Sequence, residues 1–175
     1  MSPKRILIMA GGTGGHVYPA LAVAESLRAN DVQILWLGTE SGLEARVVPE
    51  KGYNLSTIRV AGLRGKNLLR ILLAPLTIAV ALFQSMKIIR QFKPDAVLGM
   101  GGYVSGPGGI AAWILRVPLY IHEQNAIAGL TNRLLAPLAT YVMQGFPDTF
   151  KSTKHLQTTG NPVREEILSL ASSAK

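Results

Sequence analysis

Cysteine is absent from the 175 residues, which removes a disulfide framework, a thiol nucleophile and any thiolate metal site. That fits a reducing compartment. Histidine is scarce as well. His16, His122 and His155 stand far apart, without the short spacing of a histidine metal site, so no metal and no other cofactor is expected. The apolar run after the basic start MSPKR meets a glycine pair too early for a secretory signal. Residues 71–86 lack charge but include Pro75, Thr77, Gln84 and Ser85, short of the about twenty apolar residues of a spanning helix. Acidic residues are missing from one whole segment: none lies between Glu50 and Asp95. Lys51, Arg59, Arg64, Lys66, Arg70, Lys87, Arg90 and Lys93 fall there and supply the entire net charge of +8. So local a basic surface calls for an anionic partner. Few aromatics interleave with these cations, which argues against nucleic acid.

What is present is an alternation of strand-length apolar runs with helix-like stretches. RILIMA (5–10), VQILWLG (32–38), LSTIRVAG (55–62), PDAVLGM (94–100), VPLYIHEQN (117–125) and TYVMQG (140–145) read as strands. Helices are expected over about 17–29, from Ser41 to near Gly52, over 67–92 with a break at Pro75, over 107–116, and in AGLTNRLLAPLA. Ser41 and Glu44 have capping-box spacing. The predicted fold is α/β, a Rossmann-like parallel sheet with helices on both faces.

Two glycine-rich loops, GGTGGH (11–16) and GMGGYVSGPGG (99–109), follow strands one and four. In an open parallel sheet the ligand sits beyond the carboxyl ends of the strands. Glycine lets backbone amides approach a ligand closely, and a helix N-terminus behind the loop favours phosphate. The Walker pattern GxxxxGK[ST] is missing, and the dinucleotide fingerprint GxGxxG fails at Val17, which leaves an NAD-type module as the weaker alternative. Around 71–86 the apolar surface exceeds the stripe needed for packing on a sheet. Leu72, Leu73, Leu76, Val80 and Phe83, bordered by Lys66, Arg70, Lys87 and Arg90, therefore read as a shallow seat on an anionic membrane. A helix buried between sheet and neighbour is the other reading of the segment.

The stretches GGTGGHVYPALAVA (11–24), GMGGYVSGPGG (99–109), HEQNAIAGLTNR (122–133) and GNPVR (160–164) resemble the MurG family. The resemblance implies the N-terminal half of a GT-B glycosyltransferase and transfer of N-acetylglucosamine from UDP-N-acetylglucosamine to lipid I, forming lipid II for peptidoglycan. It implies a peripheral location on the cytoplasmic face of the bacterial inner membrane, with cell-wall synthesis or division proteins as further partners. Residues 1–165 are then an acceptor- and membrane-binding domain, and 166–175 a helix or linker toward a C-terminal donor-binding domain. A membrane-recruitment subunit is a second alternative.

Inverting transfer needs a base at the acceptor hydroxyl and stabilisation of the departing diphosphate. His16 is the candidate base, since an imidazole titrates near neutrality. Glu123 is the rival; it also reads as a hydroxyl-binding group or as a partner for Arg133. By resemblance Thr13, Gly14, Gly15, Asn125 and Arg164 contact the nucleotide sugar, and Gly101, Gly102, Tyr103 and Ser105 meet the acceptor's pyrophosphate through backbone amides. His122 is expected to point into the sheet packing.

Overall fold

The computed structural model describes residues 4–60, 74–151 and 155–163. Within them seven strands form one parallel sheet: β1 (Arg5–Met9), β2 (Gln33–Gly38), β3 (Asn54–Thr57), β4 (Ala96–Gly99), β5 (Leu119–Glu123), β6 (Tyr141–Gln144) and β7 (Leu156–Thr158). Their spatial order is β3-β2-β1-β4-β5-β6-β7. The order reverses between β1 and β4, which pair directly with Met9 opposite Gly99. Both glycine loops leave the sheet there, side by side on the carboxyl rim, where such folds take their ligands.

Side chains alternate across a strand, and β1 shows the result. Leu7 and Met9 enter one core with Val97, Ile121, Ala81 and Ala111. Ile8 and Ala10 enter the other with Trp36, Val17, Leu21 and Val48. The second face is covered by α1 (Gly14–Arg28) and α2 (Leu43–Glu50). The first is covered by α3 (Ala74–Phe92), α4 (Ser105–Ile114) and α5 (Leu130–Leu135). A 3-10 turn, Ala136–Leu138, follows α5.

Two local expectations need correction. Ser41 is not the cap of α2; Gly42 is, without a side-chain bond. Glu44 does not reach back in a capping box, because its carboxylate turns inward to the glycine loop. The first helix begins at Gly14 rather than near residue 17, so His16 belongs to its first turn. Residues 61–73 and 164–175 lie outside the described residues, and with them Lys66, Arg70, Leu72, Leu73, Arg164 and the expected terminal helix.

The buried line of α3 is Ala74, Ala81, Ser85 and Ile89, mostly small residues. It rests against α4, whose Ala111 and Ala112 are also buried, while the bare positions Gly108 and Gly109 face Met9 and Leu135 instead. Small side chains on both helices permit close approach. Leu82, Met86, Ile88 and Phe92 pack partly against the core, but four large residues of α3 face outward: Leu76 is 64% and Phe83 70% exposed, and Ile78 and Val80 are exposed too.

The glycine loops depend on missing side chains in different degrees. A Cβ on Gly102 (φ +83) would overlap the Gly11 carbonyl, whereas one on Gly160 (φ +75) would meet nothing within 4 Å. Left-handed backbone alone costs an L-residue about 1–2 kcal/mol, and forced overlap adds about 1–3. Chemical denaturation should therefore show Gly102→Ala losing about 3 kcal/mol and Gly160→Ala about 1; equal losses would contradict the loop contact.

Candidate functional site

The first glycine loop is held from below by Glu44, a fully buried carboxylate. Its Oε2 accepts the Gly12 N–H at 3.0 Å. Its Oε1 accepts the Thr39 N–H at 3.0 Å and the Thr39 hydroxyl at 2.8 Å. The space is closed around it, since a Cβ on Gly11 would stand 2.7 Å from Oε1 and one on Gly38 or Gly42 would overlap the side chain. Glu44 was missed from the sequence as a site-building residue. The cluster of Gly11, Gly38 and Gly42 is its signature, visible only once β1 and β2 are paired.

The second loop is tied to β1. The Ser105 hydroxyl is shared between the carbonyls of Gly101 (2.8 Å) and Met9 (3.1 Å), and its N–H donates to the Gly102 carbonyl at 3.3 Å. Ser105 is fully buried. Its expected role as a pyrophosphate contact is thus overturned: its amide is already engaged, and its side chain joins the loop to the sheet. By contrast the amides of Gly14, Gly15, Gly101, Gly102 and Tyr103 meet no acceptor among the described residues. Gly101 and Gly102 have φ of +103 and +83, which glycine alone adopts without strain. The Tyr103 ring lies over Gly12, 3.4 Å from where a Cβ would stand.

His16 bridges the two loops. Its ring covers Gly101, where a Cβ would come within 2.6 Å of Nδ1. Nδ1 lies 3.1 Å from Gln124 Oε1. Gln124 Nε2 lies 3.0 Å from His122 Nδ1 and 3.0 Å from the His122 carbonyl. His122 Nε2 then lies 3.0 Å from the Gly160 carbonyl, and Asn161 Nδ2 donates to the Gln124 carbonyl at 3.0 Å. Neither Gln124 nor this chain of contacts was anticipated. His122 is buried as expected, but it serves the line of polar contacts behind His16.

Glu123 occupies a different position from the one expected. Its carboxylate is fully buried. Oε1 accepts the Asn125 N–H (3.0 Å) and Nδ2 (2.8 Å). Oε2 accepts the Gly129 N–H (3.0 Å) and Asn132 Nδ2 (2.9 Å). Four donors on one buried carboxylate leave it no approach to an acceptor hydroxyl, so the rival base role and hydroxyl binding both fall away. Arg133, considered as its partner, is exposed. Glu123 instead closes the 124–129 loop and holds Asn125 at the rim. Thr13, Gly15 and Asn125 are exposed there, and Gly14 is half-buried under the Tyr18 ring. Among the described residues no three His, Asp or Glu side chains gather as metal ligands.

With this geometry in place, the class follows. Residues 6–144 match the glycosyltransferase family 28 N-terminal domain, and the chain belongs to that family. It is 58% identical over 167 residues to a UDP-N-acetylglucosamine--N-acetylmuramyl-(pentapeptide) pyrophosphoryl-undecaprenol N-acetylglucosamine transferase of Coxiella burnetii, covering 95% of this chain and 46% of that protein. A transferase of the same name from Nitrosococcus oceani is 57% identical, with 97% and 47% covered. The crystal structure of Acinetobacter baumannii MurG superposes with a TM-score of 0.82 at 44% identity, over 93% of this chain and 47% of that one. This chain therefore spans about half the length of the relatives it matches. A UDP-GlcNAc 2-epimerase from Neisseria meningitidis shares the fold alone, with a TM-score of 0.64 at 14% identity, over 97% of this chain and 50% of that one.

Burial lowers the affinity of His122 for a proton, opposed by the Gly160 carbonyl and the Glu123 charge. The folded chain thus keeps His122 neutral where the unfolded chain, titrating near 6.5, takes up a proton. Its contribution to stability is complete above about pH 6.5 and is lost as pH falls through the lower folded value. Calorimetry from pH 7.5 to 5 should show a falling unfolding temperature, with a shallower decline in His122→Asn; identical slopes would count against it.

Proposed function

We propose that this chain supplies the acceptor-binding, membrane-facing half of an inverting transferase. The reaction moves N-acetylglucosamine from UDP-N-acetylglucosamine to the MurNAc 4-hydroxyl of lipid I. The observation that carries this reading is the convergence of unengaged amides from two adjacent loops with one imidazole, at the switch point of the sheet. Anionic oxygens suit such amides, and the N-terminus of α1 adds its positive end. The names of the relatives supply the substrates.

In this reading the acceptor pyrophosphate rests on Gly101, Gly102 and Tyr103, which places its sugar hydroxyl near His16. His16 takes the hydroxyl proton as the oxygen bonds to the anomeric carbon. The bond from that carbon to phosphate breaks, and its electron pair departs with UDP. Thr13, Gly14, Gly15 and Asn125 face the same rim, and with Arg164, outside the described residues, they are the proposed contacts to the nucleotide sugar. No residue here is called on to bind a metal or an organic cofactor.

The outward face of α3 is the proposed membrane seat. Leu76, Ile78, Val80 and Phe83 are exposed, as are Trp113 and Ile114 at the end of α4. Lys87 and Arg90 are exposed farther along α3. No helix among the described residues is long and apolar enough to cross a membrane. An exposed apolar face beside cations fits a peripheral seat on anionic lipid, which the cytoplasmic face of a bacterial membrane provides. Further protein partners in cell-wall synthesis or division have no support in the geometry.

Titration of this chain with a short-chain lipid I analogue, UDP-N-acetylglucosamine and NAD should show binding of the first and little of the others. Preferential NAD binding would replace this reading with a dinucleotide module. In the full-length transferase, His16→Ala should lower kcat by about 10²–10⁴-fold, the usual contribution of a positioned base; unchanged turnover would remove it from that role. Sedimentation with anionic vesicles should fall with added salt and fall strongly in a Leu76→Asp, Phe83→Asp variant. Unchanged partitioning of that variant would locate the membrane contact elsewhere.

A further inference from the structure

We infer that Gln124 is a positioning residue that fixes His16 in the tautomer a base requires, and that His122 holds Gln124 in the orientation that does so. This rests on the proposed role of His16. An amide side chain can present either its oxygen or its nitrogen to a neighbour, and the two ends look alike in outline. Here the surroundings decide. The end of Gln124 nearest His122 lies 3.0 Å from the His122 carbonyl and 3.0 Å from His122 Nδ1. The carbonyl only accepts, so that end must be the NH2 group. Reversal would set two carbonyl oxygens against each other in a buried place. With both hydrogens directed at His122, Oε1 is the end that faces His16.

The same logic runs outward in both directions. His122 Nε2 faces the Gly160 carbonyl, so it carries the ring proton, and Nδ1 is left as the acceptor Gln124 needs. That is a neutral imidazole, which its burial favours. On the other side, Oε1 only accepts, so His16 Nδ1 carries a hydrogen. A neutral ring has one such hydrogen, and His16 Nε2 therefore presents its lone pair. In water the Nε2–H form of histidine is the commoner one, so without Gln124 the preferred ring would present a hydrogen to the acceptor hydroxyl instead of a lone pair. The fixed arrangement spans β5, the following loop and the segment at Gly160–Asn161, whose Asn161 holds the Gln124 backbone.

Long-range 1H–15N correlation spectra of this chain, isotopically labelled and held above the titration of its histidines, read the tautomer directly. The expected result is His16 protonated at Nδ1 and His122 at Nε2. Gln124→Leu should move His16 to the Nε2–H form. In the full-length transferase Gln124→Leu should lower kcat by about 10–100-fold, the usual effect of removing an orienting partner, with the KM for UDP-N-acetylglucosamine little changed. An Nε2–H ring at His16 in the unaltered chain overturns the inference, and so does an Nδ1–H ring that persists in Gln124→Leu. Should Gln124→Leu fail to fold, Gln124→Met tests the same point: it keeps the length of the side chain but offers no acceptor oxygen, and His16 should lose its fixed tautomer. An Nδ1–H tautomer controlled by Gln124, found together with full activity of His16→Ala, would sustain the positioning and sink only the base role.

Discussion

Everything at the rim is arranged around the contact between two backbone bends. Gly102 lies against the Gly11 carbonyl so closely that no side chain fits between them. The imidazole of His16 covers Gly101 in the same way. These approaches are what let β1 and β4, which are neighbours in the sheet but far apart in the chain, present amide donors to a common space. A larger residue at either bend would push the loops apart and point their N–H groups in unrelated directions. Two buried groups keep the contact in register from behind: Glu44 grips the first loop through Gly12, and Ser105 pins the second to the end of β1. Both are fully buried, so little of their hydrogen-bonding capacity is lost to water.

The outer surface carries a second unusual feature. Ala81, Ser85 and Ile89 of α3 are buried and Leu82, Met86, Ile88 and Phe92 pack on the core, yet Leu76, Ile78, Val80 and Phe83 remain outside. A soluble helix ordinarily buries its largest apolar residues. Here Leu76, Ile78, Val80 and Phe83 face outward, with Lys87 and Arg90 exposed farther along, which suits the proposed contact with lipid. The proposed bilayer seat on one face and the proposed anion cradle on the rim would together suit a substrate whose tail stays in lipid while its pyrophosphate is handled above it.

Much of this was legible from the sequence, and the failures have physical reasons. The strand-helix alternation and the paired glycine loops were readable because apolar runs and glycine act locally. Their shared rim followed from the rules of parallel sheets. What misled was polar chemistry that depends on distant partners. Glu44 has the spacing of a helix cap, yet its carboxylate is drawn to the Gly12 amide of another loop and to Thr39. Glu123 looks like a free acid at a strand end, yet Asn125, Gly129 and Asn132 wrap around it. Ser105 looks like a loop hydroxyl, yet it is sealed under the loop. Gln124 gave no signal, because a glutamine beside a histidine in sequence says nothing about a second histidine arriving from another element.

The central claim is that the unengaged amides of the second bend, at Gly101, Gly102 and Tyr103, receive the anionic oxygens of the acceptor, while those of the first bend, at Gly14 and Gly15, are kept for the nucleotide sugar. Amide chemical-shift mapping of the isotopically labelled chain during titration with a soluble, short-chain lipid I analogue tests it most directly. The account predicts that Gly101, Gly102 and Tyr103 shift together along one saturation curve, with Gly14 and Gly15 moving less and Gly12, already bonded to Glu44, least. Shifts centred on the first bend, or on residues away from this rim, would contradict it.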